Sequence, residues 1–330
     1  MNITIRITML TAFAGFSVSV LLGYYLLPIL RRMRFVTSGA DSSGFDGNVP
    51  VGGIIIPLAA LLAAAPAIML HDTRSIYDSD SLRMFSAVWV YSVLGAGLGY
   101  FGDHADTRGK KIASRDMLLT LTEIMLTVCL FAVKYLNNSP RHIYIPFVGE
   151  KDIGMMYYPV MVIYVLAVIR AYYSMKNVQG IACAAAAAFS AGCTALFPAV
   201  GMTLYAPAAA ALAGSCTGFL KWNFPPEKTA VGGTGCLFAG FSAAALAIAS
   251  GQLIIMMIML LPALCFMLIS PKLAGRGRIA RLRMRIYEHR GKSSAAYAVI
   301  IMFAAAAVFS AAGAGCLYFS EELLKNRSGS

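Results

Sequence analysis

Ten stretches of apolar residues follow one another along this chain of 330 residues, and they constrain its fold more than any other feature. A helix needs roughly 20 apolar residues to cross the hydrocarbon core of a membrane, and no stretch alternates in polarity as β-barrel strands do. We therefore predict an all-α, polytopic membrane protein of about ten transmembrane helices, forming one integral-membrane domain over residues 1–330. The stretches cover residues 8–30, 51–70, 85–102, 117–136, 154–174, 181–197, 201–220, 232–250, 252–270 and 295–318.

The distribution of basic residues between these stretches predicts the orientation of the helices. Of the 27 lysines and arginines, 19 lie in loops that follow odd-numbered stretches and five lie in loops that follow even-numbered ones. Loops rich in Lys and Arg stay on the cytoplasmic side of a membrane. We therefore expect the odd-numbered loops in the cytoplasm and both termini outside. The first stretch has no small-residue cleavage site behind it, so we expect a retained helix and not a signal peptide.

The composition of individual stretches predicts which of them lie inside the bundle. Small residues let helices approach closely in lipid, which favours interior positions for residues 182–188, 208–214, 232–249 and 304–315. The methionines of the ninth stretch and the tyrosines of the fifth are expected to face lipid or the membrane interface. The seven cysteines lie in apolar stretches without a Cys-x-x-Cys pair, which indicates buried side chains and neither disulfides nor a zinc site.

The formal net charge of +12 is compatible with nucleic acid or with anionic phosphate at a membrane. The sequence has no zinc-finger, RNA-recognition or helix-turn-helix pattern, so we expect no nucleic-acid partner. The basic loops of a membrane protein account for the charge, because anionic membrane lipid and phosphorylated substrates both attract such loops.

The most densely charged segment, residues 103–111, directly follows the third apolar stretch. On a continuing helix, Asp103 and Asp106 would lie on one face and could share a metal ion. His104 could act as a general base toward a phosphate, or as a ligand for a softer metal than magnesium. The simpler alternative is a solvated loop in which both carboxylates pair with the neighbouring basic residues.

One carboxylate, Glu123, falls inside an apolar stretch. Ionisable residues within the membrane are candidates for function, because burying an unpaired charge there is costly. Glu123 also lies about two helical turns from the expected cytoplasmic end of its stretch, where it could instead reach water. Both interpretations stay open.

Several loop motifs on the expected cytoplasmic side form a recognisable set. Residues 223–237 read Asn-Phe-Pro-Pro-Glu-Lys-Thr-Ala-Val-Gly-Gly-Thr-Gly-Cys-Leu, and residues 50–53 read Pro-Val-Gly-Gly. In order, spacing and side of the membrane, the set resembles the polyprenyl-phosphate N-acetylhexosamine-1-phosphate transferases, and within them the bacterial phospho-N-acetylmuramoyl-pentapeptide transferases. The longer motif is similar to that family's Asn-Phe-x-Pro-Ala-Lys-x-x-x-Gly-Asp-Thr-Gly-Ser-Leu.

The resemblance implies a ten-helix protein of the bacterial inner membrane whose active-site loops are cytoplasmic. Members of that family move a sugar phosphate from a UDP-sugar to undecaprenyl phosphate, using magnesium. A UDP-sugar and undecaprenyl phosphate are therefore the implied partners, and Mg²⁺ is the implied cofactor. A homodimer is an alternative to a monomer that the resemblance leaves open.

The departures from the family pattern fall on its acidic and histidine residues. The family's Asp-Asp appears as Asp103-His104, and its Asp-Gly-x-Asp-Gly-Leu-Ala has Lys176 and Gln179 in place of the two acids. Its Gly-Asp-Thr-Gly-Ser has Gly233 in place of the acid, and its run of three histidines is reduced to His289. Magnesium requires oxygen ligands, so these losses bear directly on the chemistry.

By resemblance, we assign catalytic roles to Asp103 and His104, and metal binding to Asp103 and Asp106. The residues expected to bind substrate are cations, motif residues and glycines at a helix start: Lys110, Lys111, Asn223, Lys228, Gly232, Gly233 and His289. Three interpretations stay open for this region, namely a solvated loop, phosphate binding without catalysis, and a rebuilt working site.

These observations predict a divergent paralogue of the transferases with reduced or no activity. The alternative is a membrane scaffold that binds polyprenyl phosphate without catalysis. A small-molecule transporter is the weaker possibility, because transporters usually carry midplane ionisable groups or broken helices in repeated halves, and we find no repeat.

Overall fold

The computed structural model describes residues 2–32, 52–72, 79–107, 115–136, 142–176, 178–225, 228–269 and 292–328. Almost all of these residues are helical, and each of the ten apolar stretches overlaps one helix, with ends that differ by up to ten residues. The α-helices within these ranges are α1 (Asn2–Arg32), α2 (Ile55–Asp72), α3 (Ser79–Thr107), α4 (Arg115–Leu136), α5 (Tyr157–Ser174), α6 (Ile181–Ala199), α7 (Tyr205–Asn223), α8 (Gly232–Ser250), α9 (Leu253–Ile269) and α10 (Lys292–Ser328). Short 3-10 helices, Gly52–Ile54 and Gly154–Met156, precede α2 and α5.

Seven of the described helices are long and apolar enough to cross a membrane, and two further apolar helices are shorter. The prediction of an all-α, multi-pass membrane protein is therefore confirmed. Ten complete crossings with both termini outside stay a prediction, because a short apolar helix can enter the bilayer without spanning it.

Helix α8 lies at the centre of the bundle, and nearly all of its residues are buried. It packs against α3 and α5 and also contacts α6. Its small residues permit close approach, since a Cβ atom added to Gly240 would lie 3.1 Å from the Cα atom of Ile169. Residues 182–188 of α6 and most of 208–214 of α7 are also buried. The prediction that small residues mark the interior is confirmed for these three helices.

Two expectations about the interior are wrong for some of their residues, although Met257 of α9 is exposed as expected. Residues 304–315 of α10 are exposed along one side, because α10 presents only one face to α6 and α9. Met256 and Met259 of α9 are buried, and so are Tyr157 and Tyr172 of α5. A flexible methionine fills irregular gaps between helices, and a tyrosine buries a large apolar ring, so neither residue type needs to face lipid.

A two-stranded antiparallel hairpin, β1 (His142–Ile145) and β2 (Gly149–Asp152), connects α4 to α5 and was not predicted. Its turn contains Phe147 with φ at 67°. The Ser320 hydroxyl accepts a hydrogen bond from the Phe147 amide at 2.8 Å and shares another with the Tyr144 hydroxyl at 2.9 Å. The hairpin is therefore fixed to α10.

Glu123 of α4 forms an ion pair with Arg170 of α5, with 2.9 Å between Oε2 and Nη2. The Glu123 side chain is 1% exposed and that of Arg170 is 28% exposed, so the pair reaches from the helix interface toward solvent. Arg170 also donates a hydrogen bond to the Thr120 hydroxyl. A buried carboxylate with a cationic partner is explained by helix packing, without a ligand.

Lys134 lies in the last turn of α4 and is buried. Its ammonium group donates hydrogen bonds to the Tyr157 hydroxyl at 2.8 Å and to the carbonyl oxygen of Ile248 at 3.1 Å. Ile248 belongs to the last turn of α8, where a cation is stabilised by the helix dipole.

Candidate active site

The loop motifs singled out in the sequence meet at the start of α8. A Cβ atom on Gly52 would overlap the side chain of Thr229, and one on Gly53 would overlap the carbonyl oxygen of Val231. Glycine is therefore required at both positions, because the backbone before α2 lies directly against the 223–237 motif. We define the candidate site as Asp103, Lys176, Asn223, Gly233 and Thr234.

Asp103 binds the first turn of α8. Its Oδ1 accepts a hydrogen bond from the Gly233 amide at 2.7 Å, and its Oδ2 accepts one from the Thr234 amide at 2.9 Å. The Thr234 hydroxyl donates a third bond to Oδ2, also at 2.9 Å. The first N–H groups of a helix lack internal partners, and the helix dipole favours a negative charge beside them. Asp103 therefore caps α8 from a neighbouring helix.

Asp103 can reach the start of α8 because position 233 carries no side chain. A Cβ atom on Gly233 would lie 2.9 Å from Asp103 Oδ1 and 3.3 Å from the carbonyl oxygen of Gly99. A Cβ atom on Gly99 would overlap the carbonyl group of Gly233 in turn. An aspartate at position 233, as in the family pattern, does not fit while Asp103 keeps these contacts.

The segment 103–111 is helical at its beginning, since α3 continues to Thr107. Asp103 is 4% exposed, so the interpretation as a solvated loop is wrong for this residue. The ring of His104 is half-buried and lies parallel to that of Tyr100, with 6.2 Å between their centroids. Asp106 lies within α3. Its side chain and the residues Lys110, Lys111 and His289 lie outside the part of the chain that the structure describes.

Asn223 connects two of the loops. Its Oδ1 accepts a hydrogen bond from the Gly180 amide at 2.8 Å, and its Nδ2 donates one to the carbonyl oxygen of Thr229 at 2.8 Å. The residue is 1% exposed. Gly180 has φ at 70° at the start of α6, a conformation that glycine adopts readily. Both polar groups of the Asn223 side chain are thus engaged within the protein, which holds the loops after α5 and α7 together.

Lys176 places a cation beside the candidate site, at a position where the family pattern has an acid. Its Nζ lies 4.9 Å from the ring centroid of Tyr173 and 3.3 Å from the Tyr173 hydroxyl. Its charge lies within electrostatic range of Asp103. In the sequence, position 176 stood out only as a lost acid. Nothing there indicated that the lysine in its place would lie within electrostatic range of Asp103, the acid that is retained.

Lys228 lies at the edge of the candidate site and is exposed. Its Nζ lies 5.4 Å from the ring centroid of Trp222, and its amide donates a hydrogen bond to the Trp222 carbonyl oxygen at 2.8 Å. Gly232, with φ at 63°, begins α8 and is buried.

The described residues do not provide the ligand set that Mg²⁺ requires. Magnesium takes oxygen ligands in octahedral geometry, usually with one or two carboxylates. Within the described ranges, no group of three or more His, Cys, Asp and Glu side chains is arranged to hold a metal ion. Asp103 already accepts three hydrogen bonds, and Lys176 would repel a divalent cation.

The fold and the site define a multi-pass helical membrane protein whose polar site lies at the start of its central helix. Residues 84–251 match a family described as glycosyl transferase family 4, and the chain belongs to that family. This match confirms the resemblance seen in the loop motifs.

Three relatives illustrate the similarity, and each is named phospho-N-acetylmuramoyl-pentapeptide-transferase. The protein from Clostridium beijerinckii is 29% identical over 68% of this chain and 69% of its own length. The protein from Clostridioides difficile is 25% identical over 74% of this chain and 76% of its own length. The protein from Halalkalibacterium halodurans is 27% identical over 77% and 78%, respectively.

Proposed function

We propose that this protein is a divergent polyprenyl-phosphate sugar-1-phosphate transferase that binds its phosphorylated substrates but transfers slowly or not at all. The substrates are a UDP-sugar and undecaprenyl phosphate, and the wider role is synthesis of lipid-linked precursors of peptidoglycan. Membership of glycosyl transferase family 4 and the names of the relatives support this reaction class. The observation that carries the reduced activity is the engagement of both Asp103 oxygens by the start of α8.

The acids missing around Asp103 explain why transfer would be slow. A sugar-phosphate transfer develops charge on phosphate oxygens, and a divalent cation normally neutralises that charge. Asp103 is the only acid retained from the family positions that we identified, and Lys176 and Gly233 stand where two others would be. Losing one well-placed electrostatic group costs about 10² to 10³ in rate. The loss of several groups should therefore leave little activity.

Substrate binding does not need the same groups. The ammonium group of Lys176 contacts the ring of Tyr173, and it can bind a phosphate as a point charge. The sequence supplies further candidates for phosphate binding, namely Lys110, Lys111, Lys228 and His289. Asp106 and His104 are the polar groups that a rebuilt site would add. We propose that these groups face the cytoplasm of a bacterial cell from its inner membrane, in a monomer or a homodimer.

The transfer reaction tests the proposal directly. The purified protein is mixed with undecaprenyl phosphate, Mg²⁺ and the UDP-sugar used by the Clostridium beijerinckii relative, which serves as the positive control. We expect the rate of lipid-linked product formation to be at least about 10²-fold below that of the relative. A rate similar to the relative's would contradict the proposed loss of activity.

A second candidate function is a scaffold that binds polyprenyl phosphate and catalyses nothing. The position of Lys176 favours it, because a lysine near Asp103 supplies positive charge without a metal. Binding of undecaprenyl phosphate should then be the same with and without a chelator. A weakly active enzyme that retains a metal would instead bind less substrate when the metal is removed.

A transporter is less well supported. The intramembrane carboxylate that could have served one, Glu123, is paired with Arg170 between α4 and α5.

A further inference from the structure

Two lysines and two aromatic rings meet where the end of α7 packs against α1. We call Tyr24, Lys221, Trp222 and Lys228 the aromatic–lysine cluster. The Tyr24 and Trp222 rings meet edge to face, with 4.7 Å between their centroids. Trp222 is 6% exposed, and a Cβ atom on Gly23 would overlap its indole ring. The indole is therefore fixed in position by α1.

Both ammonium groups of the cluster are held by these rings. Lys221 Nζ lies 4.6 Å from the ring centroid of Tyr24 and 5.4 Å from that of Trp222, and it donates a 2.9 Å hydrogen bond to the Tyr24 hydroxyl. Lys228 Nζ also lies 5.4 Å from the Trp222 centroid. Because each Nζ atom lies 5.4 Å from the Trp222 centroid, the Nζ atoms of Lys221 and Lys228 are separated by no more than twice 5.4 Å.

The cluster concentrates positive charge, and Lys221 has N–H donors beyond the one that Tyr24 accepts. An ammonium group has three N–H donors, and the Tyr24 hydroxyl accepts only one from Lys221. Within the described residues, no carboxylate pairs with Lys221, although two cations share one indole. Lys221 is exposed, and Tyr24 is 55% exposed, so an anion can approach them. The arrangement favours a negatively charged group placed over the exposed edge of the two rings.

The position of the cluster along α1 indicates where that anion comes from. The apolar part of α1, Thr4–Leu30, has 27 residues and rises by roughly 40 Å, about the thickness of a bilayer including its headgroups. Tyr24 lies six residues before the end of this segment, or roughly 9 Å along the helix axis. This depth corresponds to the boundary between acyl chains and headgroups, where aromatic rings and lysines commonly lie.

We propose that the aromatic–lysine cluster binds the phosphate of an anionic phospholipid in the surrounding leaflet. Lys221 and Lys228 contact the phosphate oxygens, and the Tyr24 and Trp222 rings support the two ammonium groups and contact the upper acyl chain. Lys228 is also a candidate for substrate binding, but Tyr24, Lys221 and Trp222 are not, so the lipid site does not require the proposed transferase function. It ties the end of α7, and therefore the 223–237 motif that follows, to the membrane surface.

Trp222 supplies a direct readout, because the chain contains only two tryptophans. A Trp89→Phe variant leaves Trp222 as the sole indole, and it is reconstituted into phosphatidylcholine vesicles. Phosphatidylglycerol or phosphatidylcholine with brominated acyl chains then replaces part of the lipid, and quenching of Trp222 gives their relative binding constant. We expect phosphatidylglycerol to bind about fivefold more tightly for each lysine engaged, the equivalent of about 1 kcal/mol.

Variants of Lys221 separate a specific site from general surface charge. Lys221→Gln should lower the preference for the anionic lipid about fivefold, Lys221→Arg should keep it, and Lys151→Gln on the hairpin should not change it. Equal quenching by the two lipids, or a preference that Lys221→Gln leaves unchanged, would overturn the proposal. Inorganic phosphate is also compared with chloride at equal ionic strength. If phosphate alone removes the preference, the cluster binds free phosphate and the lipid assignment is wrong.

Discussion

Asp103 and the first N–H groups of α8 satisfy each other's bonding requirements. The carboxylate gains three hydrogen bonds in a place where it is 4% exposed, and the helix start gains a negative charge. Such mutual satisfaction explains how an acid can be retained at a family position while its neighbours are replaced. Its removal would leave buried N–H groups without acceptors.

Replacing Asp103 should therefore affect stability. We expect Asp103→Ala to lower the free energy of unfolding by about 2 kcal/mol, because it leaves two amides and a hydroxyl unsatisfied. Asp103→Asn keeps one carbonyl oxygen as an acceptor and should cost about half as much. Thermal unfolding of the detergent-solubilised protein measures both effects.

Asp106→Asn is the matched control on the same helix, and it should leave unfolding nearly unchanged if only Asp103 caps α8. If Asp103→Ala unfolds like the parent protein, the carboxylate is not a structural cap. A loss of Mg²⁺-dependent activity in a fully stable Asp103→Asn variant would point instead to the metal-binding role inferred from the sequence.

The sequence located the candidate site better than it described the contacts there. It drew attention to Asp103, Asn223 and Gly233, and the structure brings all three to the start of α8. The roles depend on partners from other helices, which spacing along the chain does not give. Lys176 shows the difficulty, because comparison with the family pattern recorded only a missing acid. Its contact with Tyr173 arises from the end of α5.

Helices α3 and α8 pack unusually closely because glycines lie at their interface. A Cβ atom on Gly95 would lie 2.6 Å from the Cδ2 atom of Phe241, and one on Gly99 would overlap the Gly233 carbonyl group. The two glycines are four residues apart, which is the small-xxx-small spacing of close helix pairs in membranes. This spacing was visible in the sequence and could have predicted the contact. Gly97 lies between them with no heavy atom within 4 Å of an added Cβ.

A pair of alanine substitutions tests this packing. We expect Gly99→Ala to destabilise the protein by about 1–3 kcal/mol, because the methyl group forces α3 and α8 apart. Gly97→Ala should be neutral or stabilising by up to about 1 kcal/mol, since alanine has the higher helix propensity. Unfolding of both variants under identical detergent conditions gives the comparison. Equal effects at the two positions would show that the α3–α8 contact is not as close as described.

Helix positions were predictable because burial in lipid requires long apolar segments, and each segment forms its own backbone hydrogen bonds. The hairpin between α4 and α5 was not predictable, because its strands are four residues each and it is held by Ser320 from a distant helix. Which side chains face the interior was only partly predictable, as buried Met256 and the exposed side of residues 304–315 show. Those details depend on which helices become neighbours.

The distribution of charge predicts the orientation of the whole bundle, and the prediction can be measured. With 19 basic residues in the odd-numbered loops, ten crossings would put both termini on the outer side of the membrane. We expect alkaline phosphatase fused after Ser330 to be active, because that enzyme requires an oxidising compartment. Green fluorescent protein fused at the same position should be dark when exported. A fluorescent and phosphatase-negative pair would place the carboxyl terminus in the cytoplasm and contradict the predicted orientation.

The cap formed by Asp103 has a consequence for ligand competition. Because Asp103 is carried by α3, which packs along α8, it meets the α8 amides as a tethered ligand and never diffuses away. Even a short flexible tether gives an effective concentration of about millimolar, and a rigid helix pair exceeds that. A soluble or lipid-borne phosphate of weaker intrinsic affinity therefore cannot displace it. An external anion that binds the start of the central helix must therefore first displace the protein's own carboxylate.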